Sequence, residues 1–175
     1  NENELLIKVK ACNICGTDIK ILKYGYHKIK EGEHRILGHE VVGEVIKKGG
    51  NVSIFNLGDR VAVAPNIGCG HCYLCAAGYN NLCNNVKVFG ISIDGGFAEY
   101  MKIPCKAIVS GNLIKIPENL SFFEASISEP FSCVYNAYES LKTSPSDNVL
   151  IIGAGAMGLL HLILSKIAGA KKVIV

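Results

Sequence analysis

Four cysteines stand within one short stretch: Cys69, Cys72 and Cys75 in the run CGHCYLC, then Cys83. Four thiolates can close a tetrahedral shell around zinc and leave no open position, which makes the role of such a metal structural. An iron–sulfur cluster is the rival reading, because C-x2-C-x2-C also opens a ferredoxin run. That run continues C-x3-C-P, whereas here seven residues separate Cys75 from Cys83 and Asn84 follows. Eight cysteines in the chain invite a disulfide framework, but the clustering argues for metal. Metal-bound thiolates suit a reducing compartment, so the chain reads as cytoplasmic.

A second constellation is split between Cys15-Gly16-Thr17-Asp18 and Gly38-His39-Glu40. Together these offer one thiolate, one imidazole and a carboxylate, a three-ligand set with room for substrate. Asp18 could accept the second ring N–H of His39 and so fix its tautomer. The Thr17 hydroxyl could pass a proton towards solvent. A third feature is Gly153-Ala154-Gly155-Ala156-Met157-Gly158, which follows the apolar run VLII and opens an apolar helix. In that context Gly153 makes the turn, Gly155 lets the backbone approach a pyrophosphate, and Gly158 packs helix on strand. The bland reading is a tight turn without ligand.

These residues need a scaffold. Runs at Leu5–Val9, Val41–Ile46, Arg60–Ala64, Phe97–Ile103, Ala107–Val109 and Leu113–Ile116 read as short strands punctuated by glycine turns, which predicts a β-barrel or sandwich. The character changes at Ser121, a helix cap with Glu124 at the capping-box position. Pro130 is expected to end or interrupt that helix, and Val134–Leu141 to form another. Asn148–Ile152 then reads as a buried strand, Leu159–Ala168 as a helix with Gly169 as its cap, and Lys172–Val175 as a second strand.

Composition sets further bounds. With 49% hydrophobic residues among 175, a sizeable core can be buried. Net charge is +3, the paired lysines 47–48 and 171–172 lie far apart, and aromatics are 7% and scattered, so nucleic acid is excluded as a partner. The longest apolar stretch, Val149–Leu164, is broken by three glycines and a histidine and falls short of a membrane span. The chain opens on Asn-Glu-Asn-Glu with no signal-peptide pattern and no initiator Met, which allows for a natural start upstream. Cys12, Cys105 and Cys133 read as small buried side chains.

In this order the motifs resemble the zinc-dependent medium-chain alcohol and polyol dehydrogenases, sorbitol-dehydrogenase-like members in particular. GHEVVGEVIKKGGNV (38–52) is similar to that family's zinc signature, with Gly38, His39, Glu40, Gly43, Gly49 and Val52 in place. CGTD, the four-cysteine lobe, GGFAEY (95–100) and IGAGAMG (152–158) also stand in the family's order. The resemblance implies a mixed β and α/β fold: a GroES-like β-barrel catalytic domain over 1–145, then the first strand, helix and beginning of a second strand of a Rossmann dinucleotide-binding domain over 146–175. It also implies two zinc ions per chain and NAD or NADP.

Within that family, SEPFS (128–132) looks like the segment that carries a ligand or ligand-positioning glutamate, here Glu129. The catalytic zinc is therefore expected on Cys15, His39 and Glu40 or Glu129, with Thr17 and Asp18 as its working residues. Threonine dehydrogenases place a relay histidine where this chain has Lys20, which disfavours threonine, and sorbitol dehydrogenases a tyrosine where it has Ile21, so the two departures leave the substrate open. The expected function is oxidation of a secondary alcohol, a polyol or sugar alcohol, to a ketone by hydride transfer. The full-length protein is expected to be a homo-oligomer, and the 175 residues alone to bind zinc without turnover. From another class, a non-catalytic zinc-binding module used for assembly would carry metal in the four-cysteine lobe alone.

Overall fold

The structure, a computed structural model, describes residues 1–27, 29–30 and 32–175. It divides into two compact units, Asn1–Ile127 and Ser128–Val175.

The first unit opens with β1 (Leu5–Asn13), in which Leu5 and Ile7 point inward while Lys8 and Lys10 face out. Then come α1 (Gly16–Tyr24), β2 (Glu40–Lys48), β3 (Arg60–Val63), β4 (Asn66–Ile67) and the short helix α2 (Tyr73–Ala76). After a 3-10 turn at Asn80–Leu82 follow β5 (Lys87–Val88), β6 (Tyr100–Ile103), α3 (Cys105–Val109), β7 (Leu113–Lys115) and α4 (Phe122–Ala125). Five strands form one antiparallel sheet in the order β6-β1-β2-β3-β7, and β4 pairs with β5 apart from it. Register shifts between Leu6 and Ile7 and between Val9 and Ala11 mark irregularities in β1, of the kind that bend a strand and increase its twist. The larger core cluster lies on one face of this sheet, around Ile7, Val45, Val61, Phe89, Met101 and Ile103, and a smaller one of Val42, Ala62, Ile116 and Ala125 lies on the other.

One expectation is corrected in this unit, and one element was not expected. Ala107–Val109 is the end of a helix, not a strand. Pro104 caps α3, and the Ile108 and Ser110 amides donate to the Pro104 and Lys106 carbonyls, the i to i−4 bonds of a helix. The sequence pattern also gave no sign of α1. It buries only Asp18 and Ile21 and leaves Ile19, Leu22 and Tyr24 exposed, so it has almost no apolar stripe to read.

The second unit consists of α5 (Ser128–Leu141), β8 (Asn148–Leu150), α6 (Ala156–Ile167) and β9 (Lys172–Ile174). β8 and β9 are parallel neighbours joined through α6, and α5 packs on α6. That packing groups α5 with the strands after residue 145. Pro130 does not end a helix: it is the third residue of α5, within the first turn, where a missing N–H breaks no helical bond. α6 starts three residues earlier than its apolar run suggested, with Gly155 as N-cap.

Candidate metal centres

The end of β1 and the start of β2 are register partners, Asn13 opposite Glu40. Cys15, just past β1, and His39, just before β2, therefore emerge together although they are distant in sequence. Cys15 caps α1: its Sγ accepts from the Thr17 amide at 3.4 Å, and the Asp18 carboxylate accepts from the Cys15 amide at 2.9 Å. This is a capping box built on a thiol. The other Asp18 oxygen accepts from the Gly38 amide at 3.3 Å and lies 3.4 Å from His39 Nδ1. That last pair lacks the alignment of a hydrogen bond, so Nδ1 is a buried nitrogen without a bonded partner among the described residues. With Nδ1 turned towards Asp18, Nε2 is the nitrogen left to offer to a ligand.

Ligand atoms of Cys15, His39 and Glu40 all lie within 4.8 Å of one another, with His39 and Glu40 buried. One thiolate, one imidazole and one carboxylate are donors that zinc takes, and three protein ligands leave a position open. The residues present fit such an ion. Thr17 stands beside them in the first turn of α1, half-buried. Cys12 is close by but chemically apart. Burial first, then the nearby Asp18 carboxylate, pushes its thiol up to about 12, so it stays neutral and fills space against Gly38. Cys105 and Cys133, expected to be buried, are exposed.

Sequence reading did not foresee how the segment before His39 is held. Residues 36–38 pair with 95–97: Gly95 N donates to Ile36 O at 2.8 Å, Gly96 N to Gly38 O at 2.9 Å, and Phe97 N to Leu37 O at 3.0 Å. A Cβ on Gly95 would lie 2.1 Å from the Gly38 carbonyl, and one on Gly90 2.7 Å from it. Gly38 itself has φ +90. Only glycines allow this approach.

In the four-cysteine lobe, Cys69 and Cys75 sulfurs are 3.9 Å apart and Cys72 and Cys83 sulfurs 3.8 Å. A tetrahedron with zinc–sulfur bonds of about 2.3 Å has edges of roughly 3.8 Å, so the four sulfurs fit the ion. All four lie within 4.8 Å of one another, and no disulfide joins any of the cysteines among the described residues. The His71 amide, more than any other group, holds the Cys69 thiol down at about 6. The Gly70 amide pulls the Cys75 thiol the same way, but desolvation and the three neighbouring cysteines outweigh it and push that thiol up to about 11. His71 is exposed, with Nδ1 3.0 Å from the Cys69 carbonyl oxygen.

The glycine turn of the second unit has Gly153 at φ +112 and Gly155 capping α6. A Cβ on Gly158 would come within 1.9 Å of the Gly153 carbonyl, so the helix can sit on the turn only because residue 158 is glycine. Gly153, Gly155 and Met157 are exposed and Gly158 is buried. The unpaired first amides of a helix at such a turn suit a phosphate. Glu129 also belongs to this unit, in the first turn of α5, with Cys133 Sγ 3.9 Å from its carboxylate. The three-residue cluster is assembled wholly within the first unit.

Residues 1–118 match the family model of the alcohol dehydrogenase GroES-like domain. The chain belongs to this family. Among the relatives of this GroES-like chain, the L-threonine 3-dehydrogenase of Pyrococcus furiosus is 39% identical over 175 residues, covering 98% of the chain and 48% of the relative. A zinc-binding dehydrogenase of Sinorhizobium meliloti, so named provisionally and bound to NADP, superposes with a TM-score of 0.84 at 37% identity, covering 99% of this chain and 48% of that one. Galactitol-1-phosphate dehydrogenase of Escherichia coli gives a TM-score of 0.85 at 28% identity, with 99% and 48% covered. The chain thus spans about half the length of the relatives it matches. The family resemblance and the fold class read from the motifs hold: a GroES-like domain followed by the opening of a dinucleotide-binding fold. Among the described residues, no helix of this GroES-like chain is long and apolar enough to cross a membrane.

Proposed function

We propose that the protein is a zinc- and nicotinamide-dependent oxidoreductase that converts a secondary alcohol, a polyol or sugar alcohol, to a ketone. The observation that carries this reading is the grouping of Cys15, His39 and Glu40 around one point, with the buried Asp18 holding both the Cys15 and Gly38 amides. A zinc ion there supplies Lewis-acid polarisation of a substrate hydroxyl. Cys15 and His39 bind it, and Glu40 or Glu129 is the carboxylate that completes the set. Asp18 keeps the His39 ring oriented, and the Thr17 hydroxyl receives the substrate proton on its way to solvent. In the second unit Gly153, Gly155, Met157 and Gly158 form the turn that takes the pyrophosphate of NAD or NADP. A second zinc ion, on Cys69, Cys72, Cys75 and Cys83, is structural.

Residues 1–145 then form the catalytic domain, and 146–175 begin the cofactor domain. Threonine stays disfavoured even though several relatives carry that substrate in their name, because Lys20 stands where threonine dehydrogenases have a relay histidine. At full family length the protein is a cytoplasmic homo-oligomer, whereas the 175 residues alone bind zinc without turnover.

The test is metal stoichiometry of this chain alongside a panel of polyols and threonine offered with NAD+ or NADP+ to the full-length protein. Two zinc ions per chain, one lost in Cys15→Ser and the other in Cys69→Ser, together with polyol-dependent NAD(P)H formation, are expected. Metal held by the four-cysteine lobe alone, with no nicotinamide reduced by any alcohol, would sink the enzyme reading and favour an assembly module.

A further inference from the structure

Lys106 lies on α3, whose next two residues, Ala107 and Ile108, are buried in the core of the first unit. Its backbone is thus fixed to the sheet's core and not to the four-cysteine lobe. Its side chain nevertheless reaches the lobe: Nζ donates to the Cys69 carbonyl at 2.6 Å. At the same spot Gly70 takes φ +80, and a Cβ there would lie 2.5 Å from Lys106 Nζ. The ammonium lies over the face of Gly70 that carries no side chain, while the positive φ is what requires glycine there. The lobe's base is anchored separately, by the short β4–β5 pairing of Asn66 with Val88 and Ile67 with Lys87. Lys87 and Lys106 line one hollow of about 290 Å³ beside Cys69, and Lys106 is the one that bonds to the lobe.

Charge points the same way. Four thiolates around one divalent cation leave a double negative charge. An ammonium held at the first of those cysteines offsets part of it, and a charge-assisted bond to the Cys69 carbonyl stiffens the turn that carries the ligand.

We propose that Lys106 is the positioning residue of the four-cysteine lobe, holding the Cys69–Gly70 turn against the core and partly neutralising the metal-loaded thiolates. This rests on the reading of the lobe as a zinc site. The test uses the chain loaded with cobalt, whose absorption through four sulfurs differs from that through the single sulfur of the Cys15–His39 cluster, so the two sites are read apart. Lys106→Met keeps the stem but removes charge and donor, whereas Lys106→Arg keeps both. Loss of lobe cobalt to a competing chelator is expected to be about tenfold faster in Lys106→Met, the low end of what supporting residues contribute because Lys106 is exposed. Lys106→Arg should retain cobalt nearly as well as the parent, and the Cys15–His39 signal should not change. Equal retention in the parent and Lys106→Met, or an arginine variant as leaky as the methionine one, overturns the proposal. A parent chain that takes no cobalt into the lobe overturns the zinc reading and the proposal together, and shows itself before any substitution is made.

Discussion

Replacing Asp18 by Asn removes one charge and almost no volume from a position that is 1% exposed. The native carboxylate faces three donors: the Cys15 amide at 2.9 Å, the Gly38 amide at 3.3 Å and, less well aligned, His39 Nδ1 at 3.4 Å. An asparagine has a single acceptor oxygen, so its NH2 must turn towards at least one of those donors. Whichever way the amide settles, a buried N–H loses its acceptor, at a cost of about 1–3 kcal/mol. The metal-free chain should therefore unfold at lower urea concentration, with the first unit losing about that much stability. Orientation of a ligand histidine by its outer partner contributes roughly 10–100-fold to metal affinity, so zinc at Cys15–His39 should weaken by that factor while the four-cysteine lobe keeps its ion. Urea titration of the metal-free protein gives the first quantity, and competition with a zinc indicator gives the second. An Asp18→Asn chain within about 0.5 kcal/mol of the parent, with unchanged affinity at both sites, would refute the argument that this carboxylate builds the cluster.

Cys69→Ser should abolish metal in the lobe and lower the melting temperature of the zinc-loaded chain, since metal binding there is coupled to folding; an unchanged melting curve would show the lobe to be energetically idle. Gly95→Ala would put a Cβ 2.1 Å from the Gly38 carbonyl, so a loss of about 1–3 kcal/mol or more is expected in urea unfolding, accompanied by loss of zinc at His39 but not in the lobe. Asp59 is held below its ordinary value chiefly by the Lys115 side chain, 2.7 Å away, and then by the Asn56 amide. A depressed carboxylate contributes stability that is present above its unfolded pKa and lost as pH falls through the folded one. The stability difference between the parent and Asp59→Asn should therefore be present at neutral pH and vanish below the ordinary aspartate range, and for a surface pair it should be at most about 1 kcal/mol.

How much of this was legible in the sequence depends on how locally each feature is encoded. The gathering of the four cysteines was plain because all of them fall in one short loop, where spacing alone brings them together. The glycine turn was plain because its strand and helix flank it directly, although α6 began earlier than its apolar run since Ala156 and Met157 carry little periodic signal. The Cys15–His39–Glu40 grouping was legible only as a set of donor types. What joins them is the pairing of Asn13 with Glu40, a register between two strands, and register is a property of the sheet and not of either segment. α1 escaped notice because the residue that caps it is a cysteine, which no propensity favours, and because its helix is anchored by the Asp18 carboxylate more than by an apolar face. The misread segment at 107–109 failed for the opposite reason: three apolar residues satisfy either period, and only the cap at Pro104 and the backbone bonds to the Pro104 and Lys106 carbonyls decide for a helix.

The motif GGFAEY shows how a family signature can carry steric meaning that its residue types conceal. Nothing in Gly95 or Gly96 can bind metal, move a proton or touch a cofactor through a side chain. Their amides hold Ile36 and Gly38; the missing Cβ of Gly95 leaves room for the Gly38 carbonyl and for Gly90, and that of Gly96 leaves room for the Val41 side chain. Asp94 extends the same grip, accepting from the Ile36 amide and from Arg35 at 3.2 Å each. The direction in which His39 leaves this turn is thereby set from one side by residues 94–97 and from the other by Asp18 on α1. A histidine gripped in this way has little freedom to follow a metal that sits in the wrong place. Pre-organisation of that kind favours an ion held at a defined distance from Cys15, which is what polarisation of a single substrate hydroxyl requires.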